Sequence, residues 1–159
     1  SKEKGIQEML EIAENLNLKL TIAGSGELEK NIFKKLKKNK NIKYLGYVKY
    51  HNLDTFFKNI DVFMINSTSE TGPLTGLEAM CASRFIISRK VGAMPDRLSS
   101  NQNIWIKNDL QSSVESFLKL DPVQIQNMAS KNRDIYLKNY SLNMIKNKYL
   151  KTINHLLNA

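Results

Sequence analysis

The chain has 159 residues, of which 42% are hydrophobic and 25% are charged, close to the composition of ordinary globular domains. This length predicts a single domain, 1–159, with a hydrophobic core of its own. The longest apolar runs are far shorter than the roughly 18–20 residues that a membrane-spanning helix needs. A single cysteine, Cys81, excludes an internal disulfide bond. A cytoplasmic location is therefore expected.

The net charge of +9 comes almost entirely from one segment. Between Lys30 and Lys49 there are eight lysines and no acidic residue, so the rest of the chain carries 16 basic and 15 acidic residues. One interpretation is a solvated, lysine-rich helix face. The other is attraction to an anionic surface, such as the cytoplasmic face of a membrane, on which the protein would lie peripherally. A nucleic-acid partner is not predicted.

The spacing of apolar residues predicts strands that alternate with helices. In chain order, the predicted elements are a helix over 6–16, a strand over 18–23, a helix over 28–36, a strand over 42–45, a short helix over 53–57, a strand over 62–65, a helix over 73–82, and strands over 85–87 and 104–106. Helices fill the remainder, and Asp121-Pro122 is typical of a helix start.

This alternation predicts an α/β fold: a doubly wound, Rossmann-like parallel sheet with helices on both faces. In such sheets, ligands bind beyond the carboxyl ends of the strands. We therefore expect the binding site in the loops after Ala23, Leu45, Ile65 and Ile87.

The loop after the third predicted strand, together with the helix start that follows it, contains most of the candidate ligand-binding residues. It reads Asn66-Ser-Thr-Ser-Glu70-Thr-Gly72-Pro73-Leu-Thr75-Gly76-Leu-Glu78-Ala-Met80. Free N–H groups at a helix start can hold a phosphate, and a glycine before the helix lets a ligand approach the backbone. Glu70 lies at the mouth of this loop and Glu78 inside the helix, and carboxylates accept hydrogen bonds from paired sugar hydroxyls. Each acid also has an ordinary explanation, as a helix-start charge or a surface charge.

This stretch resembles the Glu-x7-Glu signature of retaining glycosyltransferases of group 1, also called family 4, whose usual form is Glu-Gly-x-Gly-x-x-x-x-Glu-Ala-Met. Five further segments resemble motifs of the family in the same order. They are Lys4-Gly5, Leu20-Thr-Ile-Ala-Gly-Ser-Gly-Glu27, Asn41-Ile-Lys-Tyr-Leu-Gly46-Tyr-Val48, Ile60-Asp61-Val-Phe-Met-Ile-Asn66-Ser67 and Val91-Gly92-Ala-Met-Pro95-Asp96. Six motifs in the right order are much more specific than any one of them.

The resemblance implies one half of a two-domain, B-type fold: the C-terminal domain, which binds the nucleotide-sugar donor. It implies that Glu70 is the catalytic carboxylate, accepting hydrogen bonds from the donor sugar. The donor-binding positions that it implies are Lys4 at the diphosphate, Gly24 in the glycine-rich turn, Tyr47 and Val48 at the base, Thr71, Gly72, Pro73, Leu74 and Thr75 around the diphosphate and sugar, and Glu78 at the ribose. No metal or other cofactor is expected.

Two departures from the family pattern leave the sugar and the base open. The family often has Gly and Pro in the run after the signature Met, whereas this chain reads Cys81-Ala-Ser83-Arg84-Phe85. Arg89 and Lys90 follow the next strand, where an acid is common.

The predicted function is retaining transfer of a sugar from a nucleotide-diphosphate sugar to a saccharide or lipid-linked saccharide. The alternative is a non-catalytic nucleotide-binding or interaction module of the same fold. Because the chain opens inside a motif, we expect an apolar strand ending in Gly-Arg before Ser1, in a parent about twice as long. That parent would also contribute an N-terminal acceptor domain, so the 159 residues alone are expected to be inactive.

Overall fold

The computed structural model describes residues 2–27, 29, 32–33, 39–98 and 103–158. The described strands are β1 (Leu20–Ile22), β2 (Ile42–Tyr44), β3 (Val62–Ile65), β4 (Phe85–Ser88) and β5 (Ile104–Trp105). The α-helices with printed bounds are α1 (Ile6–Asn15), α2 (Leu53–Lys58), α3 (Leu74–Cys81), α4 (Met94–Arg97), α5 (Leu110–Leu118), α6 (Pro122–Asn139) and α7 (Leu142–Leu157). Short 3-10 turns at Lys2–Lys4 and Tyr50–Asn52 precede α1 and α2.

All the described strand pairs are parallel. β1 pairs with β2, and β4 lies between β3 and β5. Helices cover both faces of the sheet. The residues of β4 show this, since successive side chains of a strand point to opposite faces. Phe85 and Ile87 pack with α1 and α5, while Ile86 packs with α3 and α6. The predicted doubly wound α/β fold is confirmed.

Most predicted elements are present, with ends that differ from the prediction by at most two residues. The strand predicted over 18–23 is limited to Leu20–Ile22. The helix predicted over 28–36 lies largely outside the described residues. Glu29, Ile32 and Phe33 are the positions of this range that the structure describes, and all three are helical. α4 was not predicted. Asp121 is the N-cap of α6 and forms a reciprocal capping box with Gln124, as the Asp-Pro pair indicated.

A cavity of about 1040 Å³ separates the two groups of strands. The facing strands β1 and β3 line it, and no strand in the described part of the chain pairs with these two edges. Further apolar side chains from α1 and α5 complete its wall, among them Met9, Ala13, Leu110, Val114 and Phe117. Buried backbone N–H and C=O groups are almost always paired. The open edges of β1 and β3 therefore predict one more strand in this cavity.

The turn at Lys2–Lys4 lies at the carboxyl end of β3, where the Glu3 carbonyl accepts a hydrogen bond from the Thr68 backbone N–H at 2.8 Å. A strand running parallel to β1 and β3 and leading directly into this turn would occupy the cavity. The connection from it through α1 to β1 would be an ordinary parallel crossover. The expected strand before Ser1 stays a prediction.

We predict that such a strand stabilises the domain. A chain lengthened at its N-terminus by about six apolar residues followed by Gly-Arg should have a Tm higher by about 5 °C or more, because the strand pairs the two open edges. The matched control carries proline at every second position of the same extension, which removes the N–H donors. Equal Tm values for the two extended chains would contradict the prediction.

Candidate functional site

The loop from β3 to α3 begins with two buried polar residues. Asn66 and Ser67, the first residues after β3, are 1% and 4% exposed. Pro73 precedes α3 as its N-cap, with φ −60° and ψ 113°. The prediction that Pro73 lies in the first helical turn was therefore wrong by one position. The start of α3 still presents free backbone N–H groups next to Gly72.

Glu70 accepts hydrogen bonds from two side chains. Its Oε1 accepts from the Ser67 hydroxyl at 2.8 Å and from the ammonium of Lys4, with which it forms an ion pair. The Glu70 side chain is 15% exposed, whereas that of Lys4 is 51% exposed. The structure thus brings together two predicted site residues that lie 66 positions apart in the sequence.

This environment holds the pKa of Glu70 below its usual value. The Lys4 hydrogen bond is the largest cause, burial acts in the opposite direction, and the Ser67 hydrogen bond adds to the lowering. The carboxylate therefore remains ionised as the pH falls through the ordinary range for glutamate. Any stability from the Lys4–Glu70 pair is present above that range and is lost only as the pH drops through the lowered pKa.

Seven of the eleven predicted site residues line the cavity, at its end beyond the carboxyl ends of the strands. They are Lys4, Gly24, Tyr47, Val48, Glu70, Thr75 and Glu78. Glu78 is the fifth residue of α3 and is half-buried. The cavity is therefore apolar between the sheets and carries charged groups and hydroxyls at its mouth.

The other four predicted residues lie beside this mouth and do not line it. Thr71 and Leu74 are exposed, Gly72 is half-buried and Pro73 is buried. The Thr71 carbonyl accepts a hydrogen bond from the Ala93 backbone N–H at 3.0 Å. These residues form the rim of the loop, with backbone groups facing the segment after β4.

Gly92 is required by this contact. It adopts φ +50°, and a Cβ atom added there would lie 2.4 Å from the Thr71 carbonyl oxygen. Any larger residue would force apart the loop that carries Glu70 and the loop after β4. The Val-Gly-Ala segment identified in the sequence therefore has a local steric cause.

Arg97 is a further cation beside this loop, and it lies outside the six sequence motifs. Its Nη1 donates to the Pro73 carbonyl at 2.9 Å, and its Nη2 lies 3.1 Å from the position of a Cβ atom on Gly72. In the sequence, only the Val91–Asp96 motif, which ends directly before Arg97, pointed to this region.

The glycine-rich turn after β1 lies across the cavity from α3. Gly24 has φ +123°, and its N–H donates to the Gly46 carbonyl at 2.7 Å. The Tyr44 hydroxyl donates to the Gly24 carbonyl, also at 2.7 Å. These bonds join the loops after β1 and β2 and leave Tyr47, which is 76% exposed, at the cavity rim.

Among the described residues, no three His, Cys, Asp or Glu side chains are grouped so that they could hold a metal ion. The expectation that the chemistry needs no metal remains a prediction. Within the same residues, no helix is long and apolar enough to cross a membrane.

Residues 1–134 match the model of the family described as glycosyl transferases group 1. The chain belongs to this family. The fold, the Glu70–Glu78 spacing and the position of the site at the strand ends all agree with this assignment.

One curated relative and two solved structures show the range of similarity. The α-monoglucosyldiacylglycerol synthase of Acholeplasma laidlawii is 30% identical over 151 residues, which covers 89% of this chain and 38% of that protein. The C-terminal domain of a group 1 glycosyl transferase from Francisella tularensis superposes with a TM-score of 0.74 at 18% identity, covering 89% of this chain and 82% of that one. Anabaena HepE in complex with UDP-glucose gives 0.81 at 15% identity, covering 98% and 46%.

The chain spans 29% and 38% of the length of the two curated relatives that it matches. It corresponds in fold to the C-terminal half of B-type glycosyltransferases.

We predict that Lys4→Met raises the pKa of Glu70, because it removes the main cause of the lowering. Ser67→Ala should raise that pKa by a smaller amount, since it removes only a neutral donor. Carbon-13 NMR titration of the Glu70 carboxyl group measures both shifts. An unchanged pKa in Lys4→Met would show that the ion pair does not form in solution.

Proposed function

We propose that this chain is the donor site of a retaining glycosyltransferase, which moves a sugar from a nucleotide-diphosphate sugar to a saccharide or lipid-linked saccharide. The observation that carries the proposal is the convergence of Lys4 and Glu70 beside the start of α3, with Glu78 on the same helix. A cation, two carboxylates and free backbone N–H groups are what a diphosphate and its sugars need.

The proposed roles follow from position. Negative charge develops on the departing diphosphate, and the ammonium of Lys4 together with the N–H groups at the start of α3 stabilises it. In this scheme, Glu70 exchanges its hydrogen bond from Lys4 for hydrogen bonds from the donor sugar. Glu78 accepts from the ribose hydroxyls, and Tyr47 and Val48 lie at the base.

UDP is the first nucleotide to test, because HepE and other structural neighbours are described as complexes with UDP or UDP-glucose. The base and sugar used by this chain are left to experiment, with GDP and ADP as the comparison ligands.

We predict that the two carboxylates of the signature separate binding from turnover. Glu78→Ala should weaken nucleoside diphosphate binding by tenfold or more, about the 1.5–3 kcal/mol of a charged hydrogen bond. Glu70→Ala should leave binding of the sugar-free nucleotide largely intact and lower kcat in the longer polypeptide. Titration calorimetry and initial rates measure the two effects. Equal losses of affinity in both variants would contradict the division of roles.

The alternative remains a non-catalytic module of the same fold that binds nucleotides or another protein. The melting temperature discriminates at the first step, since any ligand that binds the folded state raises it. A shift with UDP or GDP together with transfer by the longer polypeptide supports the enzyme. Binding without transfer by the longer polypeptide, or no binding of any nucleoside diphosphate, favours the module.

We also propose that the segment from Lys30 to Lys49 contacts an anionic membrane surface. Lys40, Lys43 and Lys49, the described lysines of this segment, are all exposed. The relative from Acholeplasma laidlawii is described as an α-monoglucosyldiacylglycerol synthase, and a lipid-linked acceptor would lie at such a surface.

We predict that the full chain sediments with vesicles containing phosphatidylserine and that binding falls as salt rises. Replacing Lys40, Lys43 and Lys49 by glutamine should reduce sedimentation. The control replaces the three lysines of α7, Lys146, Lys148 and Lys151, and should have less effect. Donor binding should be unchanged in both variants. Sedimentation that is absent or insensitive to salt would leave these lysines as a solvated face.

A further inference from the structure

Three polar side chains form a closed cluster where α1 meets the carboxyl ends of β3 and β4. Glu8 Oε2 accepts from Asn66 Nδ2 at 2.7 Å and from Arg89 Nη2 at 3.1 Å. Arg89 Nε donates to Asn66 Oδ1 at 2.8 Å. Each member of the cluster bonds to the other two, so a single geometry satisfies all three.

The cluster is shielded enough for its bonds to matter. Asn66 is 1% exposed, and the side chains of Arg89 and Glu8 are 27% and 38% exposed. Removing one member leaves a poorly solvated charge or amide without its partner, which costs more than the bond contributes when made.

Further contacts attach this cluster to both halves of the proposed donor site. Asn66 Nδ2 also donates to the Gly5 carbonyl at 3.2 Å, and Gly5 follows Lys4 directly in the chain. Ser67, which donates to Glu70, follows Asn66 directly. Asn66 therefore lies between the backbone that presents Lys4 and the loop that presents Glu70.

The fit at Gly5 leaves little freedom. Gly5 has φ +65°, and a Cβ atom there would lie 2.3 Å from Asn66 Nδ2. The turn that carries Lys4 thus rests directly on the Asn66 amide, whose orientation is fixed by Glu8 on one side and Arg89 on the other.

We propose that Glu8, Asn66 and Arg89 are positioning residues for the donor site and act through Lys4. They hold the Lys2–Lys4 turn against the loop after β3, so that the Lys4 ammonium stands where the diphosphate binds. None of the three is placed on the ligand itself. The inference rests on the proposed donor site and adds the residues that orient it.

The test compares Glu8→Ala and Arg89→Ala with Glu11→Ala as the matched control. Glu11 lies one turn further along α1, is exposed, and accepts a hydrogen bond from Gln7 Nε2 at 2.7 Å, outside the cluster. UDP and GDP affinities are measured by calorimetry on the full chain, at a temperature where every variant is folded by circular dichroism.

We expect Glu8→Ala and Arg89→Ala each to weaken nucleotide binding by about fivefold, while Glu11→Ala leaves it unchanged. The decisive measurement combines each change with Lys4→Met. If the cluster acts through Lys4, the double variants bind little worse than Lys4→Met alone, because the ammonium to be positioned is already gone.

A lowered Tm with unchanged affinity would make the cluster structural only and overturn the proposal. Affinity losses that simply add to that of Lys4→Met would overturn it as well, since the cluster would then act by another route. Absence of UDP and GDP binding in the unsubstituted chain would instead refute the donor site itself, and this inference would fall with it.

Discussion

The close approach of the Gly5 backbone to Asn66 is the constraint on which the proposed site depends. It brings the turn at the start of the chain against the end of β3, at a distance that leaves no room for a Cβ atom. Lys4 precedes Gly5 and Glu70 lies in the loop that begins at Asn66, so the same contact brings the two side chains of the ion pair together. Without that packing, a half-exposed lysine would gain little from pairing with a glutamate.

The second constraint is the division of the sheet. One group of paired strands consists of β1 and β2, and the other of β3, β4 and β5. The facing edges of β1 and β3 border a cavity. α1 and α5 bridge the two groups of strands from one face through a shared apolar core. The polar mouth of the cavity lies at the strand ends, so the same gap that leaves backbone groups open also leads into the proposed donor site.

The charges around the site are arranged to be satisfied before any ligand arrives. Glu70 is held by Lys4 and Ser67, and Arg89 by Glu8 and Asn66. Such pairing keeps each side chain in one position until a ligand binds. A diphosphate would compete with Glu70 for Lys4, and the sugar hydroxyls would then replace the lysine as donors to the carboxylate.

The sequence by itself determined the α/β class, the order of the elements, and the loop and following helix that carry Glu70 and Glu78, because hydrophobic periodicity and turn residues are local signals. Tertiary structure alone decided that Lys4 meets Glu70 and that Thr71 and Leu74 stay on the rim. The same holds for Arg97 beside Gly72 and for the linking of Glu8 and Arg89 through Asn66. These contacts join residues from separate elements, and their geometry follows from strand register and helix packing, which no local pattern encodes.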